Sequence, residues 1–454
     1  MCKCSKGAGV ASDGDIGHLR ALLTERGTST VHLVLQDLDG GLRERRIRLA
    51  DLERTIGKGT GFCDVLYQWD VGDSVFTPGP FVGEAIAADP ASLRGYPFEP
   101  HAAWVVADFT GPSAAVSPRR LLQAQVERAA ALGLTVTAGF EFEWLLYRET
   151  AESLRAKAWG PMVPFAPDNR CWDAISAAIN ADLIAEHHAI LDGADIPLVG
   201  LGMELGAGCL EASLGATGPM AAADNAAFFK AATKAFYRRK GLSACFMAQP
   251  DLGAPGLSGH IHLSLTDSAG RELFRGPSAT EPTGPARHFI GGTLALLPEL
   301  AALPLHTVNA WRRLSPGNWA PRTATWSVQN YSTGIRAVLG DHPGARLEFR
   351  IPGADVHPHL GLAMFLAAGL TGLEQGIEAP PPVTGDGRLE PPPGTPPLPR
   401  DLHAAAEALA ASATARRLFG DAFVDRFAAS RFHEFDSLRR AVSAAERARY
   451  FEAV

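Results

Sequence analysis

Apolar residues alternate with polar or charged ones along several short stretches of this 454-residue chain, and the period of each pattern predicts an element. Thr30 to Leu35 reads as a strand, Asp39-Gly40-Gly41 as a tight turn, and Leu42 to Ile47 as the strand that completes a hairpin. Trp104 to Phe109 is a further strand and ends at Gly111-Pro112. Elsewhere helical spacing takes over, first in a short helix from Ile16 to Leu23. Ser117-Pro118 supplies an N-cap and a first helical residue, and Leu121, Leu122, Val126 and Ala129 continue one apolar face to Gly133. Ala174 to Leu191, with Asp173 as N-cap, reads as a helix, as do Ala222 to Arg239, Leu402 to Leu418 and Phe432 to Tyr450. Ala379 to Pro399 holds nine prolines and three glycines, and reads as an extended, solvent-exposed connector.

Strands and helices in this reading do not alternate regularly, as they would around a parallel sheet. They segregate, which predicts an α+β fold with antiparallel strands. The length suits two domains, and the Gly111-Pro112 break puts the boundary near residue 112, giving 1–112 and 113–454.

A second kind of alternation carries chemistry. In Glu141-Phe142-Glu143, and again in Arg346-Leu347-Glu348-Phe349-Arg350, every charged residue is separated from the next by an apolar one. On a strand this puts all the charges of a segment on one side, where they must meet water or line an ion-filled cavity. Met203-Glu204 through Leu210-Glu211, Ser258-Gly259-His260-Ile261-His262 and Arg312-Arg313-Leu314-Ser315-Pro316-Gly317 add carboxylates, imidazoles and guanidiniums. Hard oxygen ligands with one imidazole suit Mg2+ or Mn2+, two or three per site, better than zinc. Interleaved arginines bind phosphate or carboxylate oxygens in a bidentate fashion. The chemistry implied is phosphoryl transfer from a nucleoside triphosphate.

These five segments, in this order, resemble the glutamine synthetase family. The likeness extends from about residue 30 to the C-terminus through Asp37-Leu38-Asp39-Gly40, Leu42-Arg43, Ala222-Ala223-Asp224-Asn225, Asn309 and Pro352-Gly353-Ala354-Asp355. The resemblance implies a small N-terminal β-grasp domain and a large catalytic domain with an antiparallel sheet and flanking helices. It also implies a homo-oligomer, a dodecamer of two hexameric rings, in which one subunit completes the active site of the next. Glutamate and ATP are the implied substrates, with an acyl phosphate attacked by an amine. By the family pattern Glu143, Glu204 and Glu211 hold the metal nearest glutamate, and Glu141, His260 and Glu348 the one nearest the phosphates. His262 and Ser264 match nucleotide contacts, Arg336 and Arg346 the phosphate-binding arginines, and Arg313 and Arg350 those that grip glutamate and the transferring phosphoryl group. Gly256 and Gly259 fall in the loop that contacts substrate through its backbone.

Three departures bear on the amine. Where the family reads Gly-Tyr-Glu-Ala-Pro, with a Glu that helps deprotonate ammonium, this chain has Gly317-Asn318-Trp319-Ala320-Pro321. An indole accepts no proton, but its ring packs against an alkyl or aryl group or a cation. Asn330-Tyr331 stands where the family has Asn-Arg, removing one positive charge from the phosphate site. The ammonium-binding aspartate comes from the stretch that holds Asp64, Asp70 and Asp73, and the alignment singles out none of them. An ATP-dependent glutamate–amine ligase acting on an organic amine is the leading expectation. Glutamine synthetase itself, or a non-catalytic structural member, are the alternatives.

Bulk properties narrow the partners. A net charge of −7 offers no basic surface for nucleic acid or an anionic membrane. No apolar run reaches the ~18 residues of a membrane span, and Met1-Cys2-Lys3-Cys4 is followed by no apolar signal region, so the cytoplasm is expected. Six cysteines are scattered without finger or ribbon spacing; Cys2 and Cys4 could bind a soft metal, but a pair at a terminus reads as disordered.

Overall fold

A computed structural model describes residues 13–56, 61–251, 253–315, 317–389 and 391–452, so Cys2, Cys4 and Pro316 lie outside the described residues. Among the described residues the strands form a five-stranded, an eight-stranded and a two-stranded sheet. Strands Thr30–Gln36 and Leu42–Arg48 make the expected antiparallel hairpin, and Thr30–Gln36 also pairs in parallel with Ala102–Phe109. The turn between the hairpin strands is closed by Asp37, whose Oδ1 accepts the Gly41 N–H at 2.7 Å while Oδ2 takes Arg43 Nε at 2.9 Å. Asp39 then pairs with Arg431 at 2.7 Å, and His357 Nε2 lies 3.1 Å from the Asp37 carbonyl, so the turn is bolted onto the larger part of the chain.

Large-sheet order runs Trp326–Val328, Ile335–Val338, Arg346–Phe349, Gly259–Asp267, Leu134–Tyr147, Cys209–Leu214, Leu198–Met203, with Ser243–Cys245 also paired to Leu134–Tyr147. All these pairings are antiparallel except that of the first two strands. The period of two divides the central strand cleanly. Phe140, Phe142, Trp144 and Leu146 are buried, and Phe142 stacks on Phe229 of helix Pro219–Arg239 with ring centroids 5.8 Å apart. Glu141 and Glu143 take the opposite face. Apolar helix Pro358–Gln375 is buried between Gly284–Leu300 and Pro118–Ala131.

Asp224 and Asn225 tie helix Pro219–Arg239 to helices Pro118–Ala131 and Pro358–Gln375 and to Arg94 of the five-stranded sheet. Arg119 donates to Asp224 at 3.0 and 2.8 Å and to Asp89 at 2.5 Å, His359 Nε2 lies 2.8 Å from Asp224, and Arg94 donates to Asn225 at 2.9 Å. Burial pushes the Asp224 carboxyl up, but Arg119 and His359 outweigh it and hold the group far below the usual range. It is therefore an ionised structural clamp.

Helix boundaries depart from the periodicity in three places. The stretch predicted as Ala174–Leu191 is two helices, Ala174–Ile179 and Ala181–Gly193, because Asn180 leaves helical geometry and turns its amide onto the Ser176 carbonyl at 2.8 Å. Leu402–Leu418 likewise divides into Leu402–Ala411 and Ala413–Phe419, with the Ser412 hydroxyl capping the second. The last predicted helix, Phe432–Tyr450, is the end of Asp421–Arg439 plus a separate Ala444–Tyr450 that begins with a capping box at Ser443. Apolar spacing survives a capped break, which is why periodicity read through all three. No helix of the described residues is long and apolar enough to cross a membrane.

Candidate active site

Cross-strand register assembles one charged face of the large sheet. Glu141 lies opposite His260 on one side and Ser213 on the other, Glu143 lies opposite Glu211, and Glu348 lies between His262 and Arg336. Antiparallel partners point to the same face, so strands far apart in sequence present their charges together. His260 Nδ1 is 3.6 Å from Glu141 Oε1 and 3.3 Å from Glu348 Oε1, and His262 Nε2 is 3.4 Å from Glu141 Oε2. Ser264 continues this face one step along the His260–His262 strand.

Arginines cover the Glu348 end. Its buried carboxylate pairs with Arg336 at 2.7 Å and with Arg350, and Arg350 Nη1 also lies 3.4 Å from His260 Nδ1. Arg346 donates to His262 Nδ1 at 3.1 Å and to the Gly344 carbonyl at 3.0 Å. Burial would raise Glu348, but His260, Arg350, His262 and Arg336 bring it down to about 2. Burial and Arg350 together push the His260 imidazole down to about 4.

At the other end the carboxylates crowd. Glu143 Oε2 accepts the Ser258 N–H at 2.6 Å, and burial raises its carboxyl above the usual range. Burial and the neighbouring Glu141 push Glu211 well up, whereas Glu141, despite burial, is pulled well down by His260, His262 and Glu211. Glu204 accepts from the Leu205 N–H at 2.7 Å and from Cys171 Sγ at 3.0 Å.

Among the described residues no three of these groups already converge into a metal cage. The donor set nonetheless fits hard divalent cations. Burial and the crowding of neighbouring carboxylates disfavour the charged forms of Glu143 and Glu211, and His260 Nε2 is buried without a partner. A cation bound here would offset that crowded negative charge.

Arg313 is buried and donates to the Ile351 carbonyl at 2.9 Å; burial and Arg350 lower its pKa to about 10, against the pull of Glu143. A Cβ on Gly256 would come within 2.8 Å of Arg313 Cγ, so the loop carrying Gly256 can close on Arg313 only as glycine. The need for glycine at 259 has another source, since a Cβ there would meet the Gly353 carbonyl at 2.3 Å. Asn318, the neighbour of Trp319, donates to Gln249 at 2.8 Å and to the Arg313 carbonyl at 3.0 Å. Trp319 is 57% exposed.

The aspartates of the N-terminal part are engaged elsewhere. Asp64 Oδ1 accepts the Val82 N–H at 2.7 Å. Asp70 accepts from Gly72 and Ser74 at 2.8 and 2.9 Å and lies 3.0 Å from His433, while Asp73 pairs with Arg43 at 2.8 Å. None of these partners belongs to the large sheet.

Periodicity missed several neighbours of the site. The described residues of 379–399 contain neither helix nor strand, as expected, but they are no free connector. Val383 N–H bonds the Trp326 carbonyl at 3.0 Å, Ser327 bonds the Val383 carbonyl at 2.8 Å, and Asn330 bonds the Gly385 carbonyl at 2.8 Å. This lacing puts Arg388 over Trp319, with its Cζ 3.8 Å from the ring centroid, and Asp386 holds the same guanidinium at 2.6 Å. Cys171 beside Glu204 was also missed. Only the composition of 379–399 was informative, and composition does not say which backbone groups find partners.

Residues 115–450 match the glutamine synthetase catalytic domain. A glutamate–isopropylamine ligase of Pseudomonas sp is 30% identical, over 96% of this chain and 98% of its own length. Type-1 glutamine synthetase 2 of Dictyostelium discoideum is 31% identical, over 93% of this chain and 84% of its own. Among solved structures, GmaS in complex with ADP superposes with a TM-score of 0.82 at 25% identity, covering 96% of this chain and 99% of that one.

Proposed function

The chain belongs to the glutamine synthetase family, and we infer that it is an ATP-dependent ligase joining the γ-carboxylate of glutamate to an amine. A carboxylate oxygen attacks the γ-phosphorus of ATP and ADP leaves; the amine nitrogen then attacks the carbonyl carbon of the acyl phosphate, phosphate leaves, and nitrogen loses a proton. The observation that carries this reading is the single sheet face on which Glu141, His260 and Glu348 meet Arg336, Arg346 and Arg350.

Glu143, Glu204 and Glu211 would hold one Mg2+ or Mn2+ and Glu141, His260 and Glu348 another, two or three per site. Bound cations supply charge neutralisation at the phosphates. Arg336 and Arg346, with His262 and Ser264, bind the nucleotide, and Arg350 meets the transferring group. Arg313, beside the Gly256 loop, grips glutamate, with Gly256 and Gly259 in the segment that contacts substrate through its backbone. Since phosphoryl transfer asks chiefly for positioning and electrostatics, no further general base is needed at the first step.

An organic amine rather than ammonia is the second substrate. Trp319 supports this, because an indole offers an apolar wall and no formal charge for ammonium. A relative named for isopropylamine points the same way, whereas one named glutamine synthetase keeps ammonia as the competing reading. Asp64 and Asp70 are the acidic candidates for contact with the amine across a subunit boundary, and Asp64 has fewer partners in its own chain.

Residues 1–112 form the β-grasp domain and 113–454 the catalytic domain, in a cytoplasmic dodecamer of two hexameric rings. Sedimentation of active protein as a monomer would exclude the ring. The test of the activity is glutamate-dependent phosphate release across a panel of alkylamines, ethanolamine, polyamines, anilines and ammonium, with Mg2+ or Mn2+ present or chelated. Release is expected with at least one organic amine above that with ammonium, and is expected to vanish in chelator. Unchanged turnover in chelator defeats the mechanism, and preference for ammonium defeats the organic-amine assignment.

A further inference from the structure

We propose that Tyr331 is a positioning residue for phosphoryl transfer, the face of its ring holding the Arg336 and Arg350 guanidiniums in place beside Glu348. The proposal rests on the ligase reading above and concerns the position at which the chain departs from the family's Asn-Arg pair. Arg336 Cζ lies 4.0 Å from the Tyr331 ring centroid and Arg350 Cζ lies 5.2 Å from it, both inside the range of cation–π attraction. Arg350 Nε also donates to the Tyr331 carbonyl at 3.0 Å, so backbone and ring of one residue hold the same guanidinium.

Two guanidiniums sharing one carboxylate repel each other. Glu348 offsets one positive charge, and the π face of Tyr331 attracts both cations without adding a third charge or filling their hydrogen-bond donors. Donors left free in this way can turn to phosphate oxygens.

Tyr331 is 55% exposed, yet its backbone is held. Gln329 takes a left-handed φ of 52° and accepts from Arg336 Nη2 at 2.8 Å. Asn330 accepts from the Ser332 N–H at 3.0 Å, and Thr333 donates to the Asn330 carbonyl at 3.0 Å. A half-exposed ring on so fixed a turn serves its neighbours rather than the core, so its removal should leave the fold intact.

Tyr331→Ala, Tyr331→Leu and Tyr331→Phe separate ring face, bulk and hydroxyl. Tyr331→Ala and Tyr331→Leu are expected to lower kcat for phosphate release roughly tenfold and to weaken binding of Mg·ADP several-fold by calorimetry, with the amine KM and the thermal midpoint unmoved. Tyr331→Phe, which keeps the ring, is expected to recover most of both losses. The proposal is overturned if Tyr331→Ala changes kcat and ADP affinity by less than twofold, if Tyr331→Phe is as poor as Tyr331→Ala, or if the amine KM rises in step with the fall in kcat. Should the wild type release phosphate with no amine at all, the ligase reading fails by itself, and the ADP affinities of the three variants still decide the role of the ring.

Discussion

Glu348→Ala is expected to reduce glutamate-dependent phosphate release by roughly a thousandfold or more, the scale on which lost charge-stabilising groups act in phosphoryl and acyl transfer. The carboxylate has side-chain exposure of 1% and does two things at once. It faces His260 at 3.3 Å, where it would share a cation, and it pairs with Arg336 and Arg350. Removing it leaves the buried Arg350 and the partly buried Arg336 without that counter-charge, and breaking a buried pair from one side costs about 3–5 kcal/mol. Loss of fold is therefore the competing explanation of lost activity. Glu348→Gln separates the two, since it keeps volume and hydrogen bonding while removing the charge. Its unfolding midpoint should fall less than that of the alanine variant while activity is lost to the same extent. Near-normal kcat in Glu348→Gln would remove Glu348 from the metal and phosphate site.

Trp319→Glu is expected to raise the ratio of ammonium to organic-amine turnover by about tenfold or more, the discrimination available from reshaping one wall of a pocket. The introduced carboxylate offers a proton acceptor and a charge partner for a small cation, and shortens the apolar wall. Arg388 modifies the expectation. Its guanidinium lies 3.8 Å from the Trp319 ring centroid and would pair with a carboxylate placed there, lowering that carboxylate's basicity. Combining Trp319→Glu with Arg388→Ala should release the carboxylate and shift the ratio further toward ammonium. Competition between ammonium and the best organic amine, run in wild type, single and double variants, measures both steps. An unchanged ratio in both variants would reduce Trp319 to a packing residue.

Much of the site's ordering is legible in the sequence. Glu141-Phe142-Glu143 and Arg346-Leu347-Glu348-Phe349-Arg350 share a face because successive side chains on a strand point to opposite sides, whichever strand lies alongside. The same local rule exposed the hairpin around Asp39-Gly40-Gly41 and the helix start at Ser117-Pro118. The local rule reached its limit at Asn180, whose side chain bonds a carbonyl of the helix it ends, and at Ser412 and Ser443, which cap the start of the next helix, while apolar spacing ran on through all three breaks.

By itself, then, the sequence determined which residues can face together within each segment, which donor chemistry they carry, and the α+β class, since all of these follow from backbone geometry and residue type. Tertiary structure alone decided what lies across from what. His260 opposite Glu141, Glu348 between His262 and Arg336, Tyr331 against two arginines, Cys171 on Glu204 and Arg388 over Trp319 join residues that are distant in the chain or lie on turns and loops. The physical reason is that such pairings depend on strand register and on which loop backbone groups find partners. Both are set by the balance of burial and hydrogen bonding over the whole chain, which no local period records.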